Sequence, residues 1–169
     1  MKSARSQCIL PSANRTSRSK LRPEAEPASA TNNMIRNILG AIVGLVVGGL
    51  VNMGLVMVSS SVIPPPAGAD LTTVEGLTAA MPMLEAKHFI FPFLAHALGT
   101  LVAAAVACVI AVSHKMTIAM IIGVLFLIGG IAASVMIPAP LWFKALDIIV
   151  AYIPMALIGA RIGGAGKSA

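Results

Sequence analysis

Four long apolar runs, separated by short polar stretches, organise this chain: about 38–58, 89–112, 117–137 and 141–162. Each is about 20 residues or more, the length an α-helix needs to cross ~30 Å of hydrocarbon. The expected fold is all-α: a transmembrane four-helix bundle over residues 34–163, with a short external amphipathic helix in the first loop. Residues 1–33 lack apolar periodicity and read as a disordered basic tail; residues 164–169 are a short second tail.

Within the runs, small residues recur at helical spacing. Counting from His96, Gly99, Thr100, Ala103, Ala104 and Ala107 share one face. Leu98, Leu101, Val102, Val109 and Val112 share the opposite one. A helix with one small and one bulky face has a packing side and a lipid side. The second run is therefore the one the others pack against. Gly40, Gly44 and Gly48 form a doubled small-xxx-small motif in the first run; Ala119, Gly123, Gly130 and Ser134 line the third, and Gly159 and Gly163 close the fourth. The residues expected at helix contacts are Gly40, Gly44, Gly48, Gly99, Ala103, Gly123 and Gly130.

The polar stretches set the rest. Pro64, Pro65 and Pro66 end the first run and open the one substantial loop, 64–87. Thr72 and Glu75 have capping-box spacing, and Val74, Leu77 and Met81 then give an amphipathic helix stopped near Pro82. Ala67-Gly68-Ala69 imitates a signal-peptidase site, but the apolar run before it is too long for a signal peptide. Ser113-His114-Lys115-Met116 is a tight connection. Pro138-Ala139-Pro140 leads into Leu141-Trp142-Phe143, placed where an interfacial aromatic belt belongs.

Composition agrees with the pattern. The chain is 57% hydrophobic and 11% charged, against about 25% charged in soluble domains. Its net charge is +6, and seven of the twelve Lys and Arg lie in the first 36 residues. That asymmetry bears on targeting and orientation, not on nucleic acid. The preferred reading is that Met34 rather than Met1 is the natural start; the alternative is that the Arg- and Ser-rich first residues, which have transit-peptide composition, direct the chain to an organelle membrane. The positive ends and Lys115 fall on one side of the membrane and the acidic 64–87 loop on the other, which predicts cytoplasmic termini. Cys8 and Cys108 have neither metal nor redox spacing.

Three polar side chains lie deep in the runs: Asn52 in the first, His96 in the second and Asp147 in the fourth. At 1.5 Å per residue they share a depth of ~9–12 Å below the loop surface. Ionisable groups in a span face the bundle interior and flag function. With Thr100 they form the candidate polar cluster, expected to converge inside the bundle. The plainer explanation is interhelical hydrogen bonding, with Asp147 paired to Lys144 three residues earlier. Tyr152 and Trp142 read as ordinary belt or bundle residues, and Pro154 as a tolerated kink. His88 and His96 are too far apart on a helix to share one ion, so neither a metal nor a cofactor is expected. No nucleophile constellation or phosphate loop is visible.

The phrases Asn52-Met-Gly, Pro64-Pro-Pro-Ala-Gly68, His88-Phe-Ile-Phe-Pro-Phe-Leu-Ala-His-Ala-Leu-Gly-Thr100 and Pro138-Ala-Pro-Leu-Trp-Phe143 resemble a family of small, uncharacterised bacterial four-span membrane proteins. The resemblance covers about Met34 to Ile162. Members usually begin near Met34, so the lead sequence is a departure. It implies a bacterial inner membrane and carries no activity with it. Three functions stay open: a structural or accessory envelope protein, a small transporter or proton-coupled carrier using His96 and Asp147, and a membrane-embedded enzyme or quinone-binding subunit. The expected partners are the lipid bilayer and a membrane-protein partner or second copy, without nucleic acid.

Overall fold

The computed structural model describes residues 27–166. Its helices are α1 (Pro27–Val62), α2 (Val74–Ala80), α3 (Ile90–Ile110), α4 (Lys115–Met136), α5 (Leu141–Val150) and α6 (Ile153–Ile162). Short 3-10 turns occupy Met81–Met83 and Ala86–Phe89, and no strand occurs among the described residues. Four stretches are long and apolar enough to cross a membrane: Ser29–Val62, Ala86–Ile110, Lys115–Met136 and Leu141–Ile162. The protein is an integral membrane protein with an all-α bundle.

Most of the expected disordered tail, residues 1–26, lies outside the described residues, as do Cys8 and residues 167–169. The remainder of that tail is corrected: α1 already runs from Pro27. Once the apolar run has nucleated a helix, each added residue gains a hydrogen bond without a new nucleus, which carries the helix through the weaker helix formers Thr31, Asn32 and Asn33.

α3 is the hub, and its small residues explain why. A Cβ added at Gly44 would lie 2.5 Å from the Ala103 carbonyl oxygen, one at Gly48 2.5 Å from that of Gly99, and one at Gly40 2.9 Å from that of Ala107. Four residues up α1 match four residues down α3, so two antiparallel backbones touch along three turns. A second seam serves α6, where a Cβ added at Gly163, just past its end, would lie 2.5 Å from the Ala105 carbonyl oxygen and one added at Gly159 would press on that of Leu101. Gly123 of α4 faces Ala156. The core is correspondingly small: Ala103, Ala104, Ala107, Cys108, Ala119, Ala156 and Ala160 are fully buried. On the bulky side of α3, Leu98, Val109 and Val112 are exposed, but Leu101 and Val102 are half-buried, and α6 lies against the Leu101 carbonyl through Gly159.

At the end where α1 enters the bundle and α6 leaves it, Asn37 ties α1 to the α3–α4 turn. Its Oδ1 accepts from the Val112 and Ser113 amides at 3.1 and 3.3 Å, and its Nδ2 donates to Ser113 Oγ at 2.9 Å. The turn itself needs His114 in the left-handed region, φ 51°. At the opposite end the 64–87 loop is pinned by His88. The Glu85 amide donates to its Nδ1 at 3.0 Å, leaving Nε2–H to donate to the Pro64 carbonyl at 3.3 Å. The N-cap of α2 is Thr73, not Thr72: Thr73 Oγ1 accepts from the Gly76 amide at 3.0 Å. Thr72 is taken by Asp70, whose Oδ1 accepts both its amide and its hydroxyl. An aromatic group beside this end joins buried Phe89 and Phe143, 4.9 Å between centroids, to half-exposed Trp142.

Candidate functional site

The fourth span is interrupted, and the interruption makes the site. Pro154 has no amide hydrogen, and in a continuous helix its ring would clash with the Val150 carbonyl. The chain accordingly leaves helical geometry at Ala151–Tyr152, with Tyr152 at φ −112°, ψ −78°. On a straight helix Asp147 and Tyr152 lie on different faces. Across the break they meet: the Tyr152 hydroxyl donates to Asp147 Oδ2 at 2.7 Å.

α3 supplies the third member. His96 Nδ1 lies 2.9 Å from both Asp147 carboxylate oxygens and 3.1 Å from the Tyr152 hydroxyl. A carboxylate only accepts, so Nδ1 carries hydrogen and donates to Asp147. That fixes the tautomer and leaves Nε2 as the ring's free acceptor. Nε2 has no hydrogen-bond partner among the described residues. The burial is unequal: 27% of the His96 side chain is accessible against 6% of Asp147's. The arrangement is a buried carboxylate that orients an imidazole whose other nitrogen stays free.

Two cavities meet at His96. One of about 730 Å³ runs under the 64–87 loop and is lined by Leu84, Phe89, His96, Ser134, Lys144 and Asp147 among others. The other, about 490 Å³, lies between α1 and α4 and is lined by Leu45, Asn52, His96, Phe126, Gly129 and Tyr152 among others. Gly130 lines both, and its missing side chain is what admits the Tyr152 ring.

Of the four cluster residues expected from sequence, the structure joins His96 and Asp147 directly. Asn52 shares the smaller cavity with His96 but bonds to neither, and its Oδ1 is buried without a donor. Thr100 is fully buried and donates to the His96 carbonyl within its own helix at 2.8 Å, so it braces the backbone rather than joining the network. The expected Lys144–Asp147 pair is corrected. Lys144 Nζ donates instead to the Ser134 carbonyl at the end of α4, where an ammonium offsets the negative end of a helix. The residue that sequence reasoning missed is Tyr152. Its signal was Pro154 two positions later, which predicts a break rather than a straight run.

Comparison with protein-family models, with curated proteins and with solved structures gave no match. Among the described residues no group of three His, Cys, Asp or Glu side chains could hold a metal ion.

Proposed function

We propose that the protein is a small proton-coupled carrier, with His96 as the residue at which cargo and proton compete. The observation that carries this reading is the free Nε2 of His96, set by Asp147 at the junction of two cavities. A proton taken up at Nε2 makes an imidazolium that keeps donating from Nδ1 to Asp147. Tyr152 holds the second carboxylate oxygen, so Asp147 stays oriented in either state. The other charged or titratable groups near these cavities are Lys144 of α5 and, towards the loop, Asp70 and His88; α1 and α4 bring none.

The charge distribution supports cytoplasmic termini and an external 64–87 loop, since Arg36, Lys115 and Arg161 cluster at one end. The resemblance in the His88–Thr100 phrase supports a bacterial inner membrane. The larger cavity is then open to the outside, while small-residue seams close the cytoplasmic half.

The test is an acid jump on proteoliposomes adsorbed to a solid-supported membrane. Wild type should give a charge displacement that His96→Gln and Asp147→Asn abolish while both variants remain folded. Equal displacement in all three would reject the carrier. Reporter fusions at Gly76 and Ala169 check the orientation, which fails if both report the same side. A second reading, a structural or accessory envelope protein, is favoured by how fully α3 is spent on helix contacts; under it His96→Gln leaves function intact because Gln still hydrogen-bonds.

A further inference from the structure

The smaller cavity is set apart from the larger by where it opens. Its walls come from α1, through Leu45 and Asn52, and from α4, through Leu125, Phe126 and Gly129. Leu125 is 47% exposed, and a Cβ added at Gly129 would meet nothing within 4 Å. Both residues lie in the middle of a membrane-crossing helix, where the exposed surface faces lipid, not water. The cavity is therefore a cleft that a membrane-dissolved molecule reaches sideways, between α1 and α4.

Its chemistry is lopsided. The walls are apolar except for three side chains, and the Tyr152 hydroxyl is already spent on Asp147. What remains are two acceptors without donors and one amide: Nε2 of His96, the acceptor of the neutral ring because Nδ1 carries the hydrogen, and Asn52, whose Oδ1 is buried without a donor and whose Nδ2 can donate. A carbonyl or ether head could accept from Asn52 Nδ2 but would leave His96 Nε2 and Asn52 Oδ1 without donors, which is costly in a dry site. An ammonium head brings donors but must lose its hydration in the middle of the membrane. A hydroxyl on an apolar body supplies the missing donor and needs no such desolvation.

We propose that this cleft binds a membrane-dissolved amphiphile whose hydroxyl head donates a hydrogen bond to His96 Nε2 and whose chain lies against Leu45, Leu125 and Phe126. The hydroxyl has two natural sources, a quinol or a long-chain alcohol, and one chemistry serves both. The inference rests on the reading of His96 as the cargo-binding residue and names the class of cargo.

The experiment uses the full chain in lipid nanodiscs, under anaerobic conditions, with a long-chain alcohol carrying a diazirine beside its hydroxyl. Illumination should label the segment around Leu125–Gly130 saturably. Excess decylubiquinol or farnesol should protect it, and the stronger protector identifies the source. The methyl ether of farnesol, which cannot donate, should compete about tenfold less well than farnesol, the weight of one hydrogen bond. Gly129→Leu, which fills the open side of the cleft, should remove the saturable labelling, and its unchanged melting temperature would show that the bundle is intact. Labelling that no competitor reduces, an ether that competes as well as the alcohol, or wild-type labelling of Gly129→Leu would each overturn the proposal. The acid-jump charge displacement separates the two ideas. If it persists while labelling proves nonspecific, the amphiphile falls and the carrier stands. If donor-dependent labelling survives without charge displacement, the cleft is a binding site and the carrier falls.

Discussion

The two halves of the bundle are built from opposite materials. The terminal half is glycine and alanine pressed backbone to backbone, with α1, α3 and α6 in register and Asn37 fastening the turn beyond them. The loop half holds His96, Asp147, Tyr152 and Asn52, and it is hollow, with cavities of about 490 and 730 Å³ meeting at one imidazole. In lipid there is no hydrophobic gain from bringing helices together, so close van der Waals contact has to hold them. The tight half supplies that contact. The hollow half can then carry polar side chains and empty space without the bundle coming apart.

The largest effect should come from breaking the tight half. Gly44→Leu puts a branched side chain where a Cβ alone would already lie 2.5 Å from the Ala103 carbonyl and 2.8 Å from Ala107 Cβ. Neither neighbour is a flexible side chain that can swing away. The cost should exceed the ~1–3 kcal/mol usual for an overpacked core. Gly49→Leu, on the same helix with nothing within 4 Å, is the control and should leave the melting temperature in detergent unchanged. Equal destabilisation of the two would mean that α1 packs through a different face.

In the hollow half the effects should be smaller and should fall on a network. Asp147→Ala leaves His96 and Tyr152 without their common acceptor, at a cost of about 1–3 kcal/mol. Tyr152→Phe removes one donor and should cost about 0.5–1.5 kcal/mol. If the three act as a unit, the Asp147→Ala/Tyr152→Phe double variant costs less than the two singles added. Strict additivity in melting experiments would show the contacts to be independent. Lys144→Met comes next, losing one bond to a helix-end carbonyl, and should cost under about 1 kcal/mol. It should leave charge displacement untouched, because Lys144 holds α4 rather than Asp147.

The same division decides what the sequence made legible. The four spans, the small faces of α1 and α3 and the meeting of His96 with Asp147 follow from periodicity and common depth, which a chain in lipid obeys closely. Tyr152 was hidden because a straight helix keeps it off the Asp147 face, and only the break before Pro154 turns it in. Lys144 was misassigned because a near neighbour in sequence, Asp147, competes with a carbonyl ten residues away that only tertiary structure presents. Asn37 gave no signal at all, since its partners are backbone amides 75 and 76 residues distant. The cap of α2 was displaced by one residue because Asp70 claims Thr72 first.

The smallest effect concerns the loop that roofs the larger cavity, and its sign follows from Asp70. The Thr72 hydroxyl and then the Thr72 amide hold the Asp70 carboxyl below its ordinary value of 3.8, with burial opposing them and Thr73 adding a smaller pull in the same direction. A carboxyl whose folded value is depressed stabilises the turn above its unfolded value and loses that contribution as pH falls through the folded one. The Thr72 amide should therefore keep its protection from exchange throughout the neutral range and lose it only below about pH 4, near the ordinary Asp value. Asp70 is fully exposed, so the change should stay local, leaving global melting as it was. Asp70→Asn should abolish the acid step. If Thr72 protection falls already near neutral pH, another group holds the roof, and the loop end would be as sensitive to protons as the site beneath it.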